Sequence, residues 1–126
     1  MNEIPVIAIF DVGKTNKKLF LFDEQYRIIF ERTARFTETV DEDGAPCENL
    51  ESLRLSVFDS LREVFRRKDV AIKAINFSAY GASMVNIDEE GRPLTPLYNY
   101  LKEYPEALSE QFYNNYGGKA AFSVQT

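Results

Sequence analysis

The sequence predicts an α/β domain built on a sheet of mixed direction, and three observations carry the prediction. Two tight turns separate three short strand-like segments near the N-terminus, which implies an antiparallel meander. From Asn49 onward an apolar period of three and four residues replaces the strand pattern. A further apolar strand follows that helix, and a helix of this length permits a right-handed crossover that lays the new strand parallel to the first.

Val6 to Phe10 is a short apolar, β-branched run, the pattern of a strand covered on both faces. Asp11-Val12-Gly13-Lys14-Thr15-Asn16 reads as a turn, because Gly and Asn tolerate positive φ. Lys18 to Asp23 is the second strand, carried by Leu19, Phe20, Leu21 and Phe22, and Asp23-Glu24-Gln25 turns the chain again. Arg27 to Phe36 alternates loosely and forms the third strand. Thr37 to Asn49 is polar and acidic and reads as a surface loop. Leu50, Leu53, Val57, Phe58, Leu61, Val64 and Phe65 define one face of an amphipathic helix. Asn49 caps its start, and Arg66, Arg67 and Lys68 sit where the helix dipole favours cations.

Ala71 to Phe77 is the crossover strand. Met84 to Ile87, the turn Asp88-Glu89-Glu90-Gly91, and Pro93 to Tyr98 make a second hairpin, with Pro93 at a strand start or an edge. Pro105 to Tyr116 is a second helix, with Leu108, Phe112 and Tyr116 as its stripe and Gly117-Gly118 as its stop. The tail from Lys119 to Thr126 carries no closing element.

Composition narrows the chemistry. The 126 residues are 44% hydrophobic and 28% charged, ordinary values for one domain with its own core. The absence of histidine removes His-based zinc sites, Ser-His-Asp triads and Cys-His nucleophiles. A single cysteine, Cys47, excludes an internal disulfide and suits a reducing compartment. It lacks a basic neighbour to lower its pKa and reads as inert. A net charge of -5 argues against a broad nucleic-acid surface. The apolar run from Ile4 to Phe10 lacks a basic leader, and nothing reaches the length of a membrane span, so a cytoplasmic protein without membrane contact is expected.

The residues that point to chemistry are Asp11-Val12-Gly13-Lys14-Thr15-Asn16-Lys17-Lys18. A carboxylate stands at the end of a buried strand, Gly13 lets the backbone approach a ligand, and Thr15, Asn16 and neighbouring amides can donate to phosphate oxygens. Three lysines form a cationic cluster within an acidic protein. A carboxylate beside such donors suits a magnesium–phosphate complex, which needs only one or two protein carboxylates. The Gly-Lys-Thr tripeptide is not a Walker A loop, since the upstream glycine is missing and a strand follows. A plain hairpin turn with solvated lysines is the reading these residues leave open.

The stretch from Ile7 to Asp23 resembles the opening of the FGGY carbohydrate kinases, members of the actin-like, sugar kinase and Hsp70 superfamily. Their first phosphate loop reads Asp-x-Gly-Thr-Thr-x-x-Lys; Asp11, Gly13, Thr15 and Lys18 match it, and Lys14 departs from it. A second segment, Ile75 to Leu97, is similar to the family's sugar-facing strand and its Asp-x-x-Gly-x-Pro-Leu hairpin. Its pair Tyr80-Gly81 resembles the rhamnulokinase branch, which has Trp-Gly there, although Ser78 and Ser83 replace the flanking acids.

The resemblance implies a ribonuclease-H-like α/β fold and transfer of the γ-phosphate of ATP, with Mg2+, to a sugar or polyol hydroxyl. Asp11 is implied as the metal residue, Gly13, Lys14, Thr15, Asn16 and Lys18 as the phosphate contacts, and Tyr80, Gly81 and Ser83 as substrate contacts. The family is several times longer, so residues 1–126 are expected to be an N-terminal portion of its first lobe, with the base aspartate after Thr126. No catalytic residue is assigned within them. Apolar surface left uncovered by such a truncation can drive homodimerisation. The alternative is a non-catalytic module that keeps the fold for nucleotide-dependent binding or assembly.

Three other features have competing readings. Tyr98, Asn99, Tyr100 and Tyr104 either line a carbohydrate pocket or serve packing and interfaces, and packing is favoured. Asp41, Glu42 and Asp43 lack the EF-hand spacing and read as a solvated loop. Asn76-Phe77-Ser78 matches a glycosylation sequon, but a buried strand is expected there.

Overall fold

A computed structural model of the chain describes residues 3–121. Its main sheet sets Ile28–Ala34, Lys17–Phe22, Ile4–Val12 and Val70–Ala79 side by side in that order. The strands β1 (Ile4–Val12), β2 (Lys17–Phe22) and β3 (Ile28–Ala34) form the antiparallel meander. The helix α1 (Leu50–Phe65) then crosses over to β6 (Val70–Ala79), which pairs parallel to β1. A second, small sheet joins β4 (Thr39–Val40), β5 (Pro46–Glu48) and β7 (Leu97–Tyr98). The helix α2 (Glu106–Asn115) completes the named elements.

The core lies between α1 and one face of the main sheet. Alternate residues of β1 and β2 point into it: Val6, Ala8 and Phe10 from the first, Leu19 and Leu21 from the second. Val57, Leu61 and Val64 meet them from α1 at helical spacing, and Val70 closes the layer. Asn49 caps the helix as expected, its side-chain oxygen accepting from the Ser52 amide at 3.0 Å. Such a cap contributes about 1 kcal/mol. Phe58 and Phe65, placed on the inward stripe by spacing, are instead exposed, while Ser60 is buried.

The expectation that β1 is covered on both faces is corrected. Its burial alternates, and Ile7 on the face away from α1 is 41% exposed. The run is apolar throughout, but α1 covers one face only. The strand β6 is exposed from Lys73 onward, so the sequon there does not lie in buried structure.

Two further expectations change. The acidic segment from Thr37 to Asn49 is not a plain loop, because it contains β4 and β5. The second hairpin shrinks to one bridge between Ile87 and Pro93, and Leu97–Tyr98 pairs with β5 instead. The cause is local: Pro93 and Pro96 offer no ladder donors. The helix α2 lies within its expected bounds but buries no residue, and Gly117 and Gly118, both at φ +90°, end it. Residues 119–121 are helical, and the rest of the expected tail lies outside the described residues. No helix among the described residues is long and apolar enough to cross a membrane.

Candidate functional site

The bend between β1 and β2 sits at one end of the main sheet. The Gly13 amide donates to the Asn16 carbonyl at 2.9 Å, which closes the bend. A Cβ on Gly13 would stand 2.8 Å from that carbonyl oxygen, so the glycine serves the turn's own close approach. Neither Gly13 nor Asn16 takes positive φ, and the expected reason for the turn gives way to this steric one. The Gly13 amide is also committed within the bend. The next three amides, of Lys14, Thr15 and Asn16, have no acceptor among the described residues. Successive free amides in a bend form a concavity suited to an anion.

Side chains divide sharply around this bend. Asp11 is exposed and makes no hydrogen bond or ion pair with a described residue. It shares the open sheet face with Lys18, its cross-strand partner, whose Nζ lies 3.6 Å from Glu31. Asn16 is oriented by Arg35, whose Nε donates to its Oδ1 at 2.7 Å. Lys17 points to the opposite face, is buried, and pairs with Glu48 at 2.5 Å. Lys14 alone of the three lysines lacks a carboxylate partner among the described residues, and its Nζ stands 5.8 Å over the Tyr100 ring. The cationic cluster is therefore one unneutralised charge, not three.

Tyr80 lies just past β6, its amide donating to the Val12 carbonyl at 3.1 Å. Its hydroxyl donates to Glu48 Oε2 at 3.1 Å, and its ring meets Tyr100 with centroids 6.2 Å apart. Burial and the Glu48 charge push the Tyr80 phenol up to about 12. Gly81 is exposed, has no positive φ, and a Cβ there meets nothing within 4 Å. Neither backbone geometry nor internal packing demands a glycine at this position. Ala82 beside it takes φ 63°, a left-handed conformation that costs an L-residue about 1–2 kcal/mol.

Beyond Ala82 opens a hollow of about 450 Å³, lined by residues that include Ser83, Met84, Asn86, Tyr98, Asn99 and Tyr100. Aromatic faces, amides and a hydroxyl are the groups that a carbohydrate-sized ligand requires. Ser83 lines it, its Oγ donating to the Tyr98 carbonyl at 3.3 Å, whereas Tyr80 and Gly81 stand next to it. Tyr98, Asn99, Tyr100 and Tyr104 all line the hollow, and Tyr100 also packs against Tyr80, so the pocket and the packing readings of this cluster both have a footing.

The acidic loop is corrected as well. Asp41 is buried and accepts from the Asp43 and Ala45 amides and from Lys102 Nζ, at 2.9, 3.0 and 2.7 Å. Lys102 above all holds its carboxyl below the usual range. Of the three acids expected in a solvated loop, Asp41 instead organises the hairpin from within, while Glu42 and Asp43 are exposed as expected. Among the described residues no three acidic or sulfur side chains cluster as a metal cage. Cys47 is buried, and burial pushes its thiol up, as an inert role requires. The residues present fit magnesium in the one way a phosphate-bound ion needs: Asp11 is an exposed carboxylate with no competing cation bound to it, beside free amides.

An antiparallel meander, a crossover helix and a parallel fourth strand define the ribonuclease-H-like fold of the actin-like and sugar kinase proteins. The chain belongs to the FGGY family of carbohydrate kinases: the model of that family's N-terminal domain matches residues 6–120. A structure of Plasmodium falciparum glycerol kinase with ADP is similar at a TM-score of 0.77 and 20% identity, over 93% of this chain and 24% of that one. Gluconate kinase from Lactobacillus acidophilus is similar at 0.73 and 18% identity, over 90% of this chain and 23% of that one. Ligand-bound xylulose kinase from the same organism gives 0.73 and 18%, over 89% and 23%. The chain thus spans about a quarter of the length of these kinases. No curated protein matches the sequence.

Proposed function

We propose that this chain is the N-terminal portion of the first lobe of a cytoplasmic kinase that transfers the γ-phosphate of ATP to a sugar or polyol hydroxyl. One observation carries the reading. The bend whose residues resemble the family's phosphate loop carries a carboxylate, an unneutralised lysine and three amides that no described residue engages. A plain hairpin turn would leave the same groups to water, so what favours the phosphate reading is that they stand in the bend whose residues resemble the phosphate loop, while Lys17 and the Asn16 side chain are engaged within the fold.

In this reading the amides of Lys14, Thr15 and Asn16 and the Lys14 ammonium orient the terminal phosphates of ATP. Gly13 shapes the bend, and the Thr15 hydroxyl and Lys18 complete its rim. Asp11 holds magnesium directly or through water. Bound magnesium neutralises phosphate charge as it shifts during transfer. The acceptor lies in the hollow beside Tyr80, Gly81 and Ser83, with the base aspartate supplied by sequence after Thr126. The Tyr80-Gly81 pair favours the rhamnulokinase-like branch of the family. The reading involves neither nucleic acid nor membrane. A non-catalytic binding module keeps the bend but has no use for an acceptor site.

Gly81 separates these two possibilities. Gly81→Ala meets no atom within 4 Å and no forbidden φ, so the melting temperature should stay within about 2 °C. If the open space belongs to the sugar, KM for the sugar in the intact kinase should rise by roughly 10-fold or more. An unchanged sugar KM would remove Gly81 from the acceptor site, and absence of sugar-dependent ADP release from the parent would reject the kinase reading. The open edge of β6, with Phe77 54% exposed, should also make the 126-residue chain self-associate with rising concentration. A sedimentation profile that stays monomeric would refute this.

A further inference from the structure

Glu48 has no role in the reading above, yet it stands between the two halves of the proposed site. Its Oε1 holds Lys17, and its Oε2 accepts from the Tyr80 hydroxyl. Lys17 Nζ in turn donates to the Lys14 carbonyl inside the bend at 2.8 Å. From the other side, the Tyr80 ring meets Tyr100, and Tyr100 lies under the Lys14 ammonium. The contacts close a ring that leaves the bend at one atom of Lys14 and returns to it at another.

We propose that Glu48 is a positioning residue: by holding Lys17 and Tyr80 at once, it fixes the separation between the phosphate-facing bend and the acceptor-facing end of β6. What each end binds rests on the kinase reading; the coupling between the ends stands on the contacts alone.

The chemistry favours a carboxylate here over any other group. Lys17 occupies the row of β2 that continues into Leu19 and Leu21, so its charge leaves water and needs a compensating anion. Tyr80 needs an acceptor on the same spot. A carboxylate has two acceptor oxygens, whereas an amide has one and turns its other end into a donor. Glu48 reaches both because β5 pairs with β7, with Glu48 opposite Leu97, and so lies alongside the sheet end where β2 begins and β6 stops. In-line phosphoryl transfer is sensitive to such spacing, since a misplacement of about 1 Å can cost on the order of 100-fold in rate.

The test compares Glu48→Gln, Tyr80→Phe and the double variant Lys17→Met/Glu48→Gln, which leaves no unpaired buried charge. In NMR spectra of the chain, Glu48→Gln and Tyr80→Phe should each shift the Lys14–Lys17 amides, while the β2–β3 pairs from Leu19 to Phe22 stay in place. Tyr80 should ionise lower by roughly one pH unit in Glu48→Gln, since the neighbouring negative charge is gone while burial remains. In the intact kinase, kcat should fall about 10–100-fold in both Glu48→Gln and the double variant, with KM for either substrate within about threefold.

A purely structural role predicts that the double variant recovers kcat along with stability, and that result would overturn the proposal. So would bend amides that ignore both single substitutions. Failure of the unsubstituted kinase to phosphorylate any sugar refutes the functional reading instead, and the amide and phenol shifts then decide whether Glu48 couples the two ends.

Discussion

Asp11→Asn in the intact kinase should lower turnover by a factor of about 100–1,000, the usual cost of losing one charge-stabilising group from a phosphate-facing site. Stability should hardly change. Asp11 is exposed and its side chain bonds to no described residue, so its replacement by a near-isosteric amide falls within about ±0.5 kcal/mol. The two readouts pull apart, and that separation is the diagnostic. A residue needed for folding loses both; a metal-facing carboxylate loses only rate. ADP release followed across magnesium concentrations adds a second check, because the variant should need more metal to reach half its own maximum rate. Turnover equal to the parent's at all magnesium levels would take Asp11 out of the mechanism.

The elements that the sequence made legible are those governed by local rules. Strands β1 to β3 follow from unbroken apolar runs between turn residues. The helix α1 follows from a seven-residue stripe and a capping asparagine. The bend itself could be placed from Asp11, Gly13 and Thr15, because a tight reversal between two apolar strands leaves few other positions for them.

What escaped was set by contacts distant in the chain. Strands β4 and β5 are two and three residues long in an acidic, proline-containing segment. They exist because Cys47 and Glu48 pair with Tyr98 and Leu97, and no local pattern encodes that. Within the site one distinction was local. Lys14, Lys17 and Lys18 look alike in sequence, but period-2 alternation sends Lys17 to the core side and Lys18 to the open side. Glu48 could not be singled out at all. Its meaning comes from two partners, 31 residues before it and 32 after it.

That long-range pair also sets the largest expected loss of stability. Lys17 and Glu48 have side chains only 8% and 9% exposed, so each depends on the other for compensation. Glu48→Ala should destabilise the chain by about 3–5 kcal/mol, because it leaves an ammonium uncompensated and removes the acceptor for Tyr80. Against a total of roughly 5–15 kcal/mol for a domain of this size, such a loss approaches unfolding. Lys17→Met with Glu48→Gln should cost much less, since no charge is then stranded and the glutamine carbonyl still accepts from Tyr80. Urea unfolding of the parent, the single and the double variant measures both differences. The double variant should stand nearer to the parent than to Glu48→Ala. The reverse order would mean that the pair is hydrated and weak, as exposed pairs are.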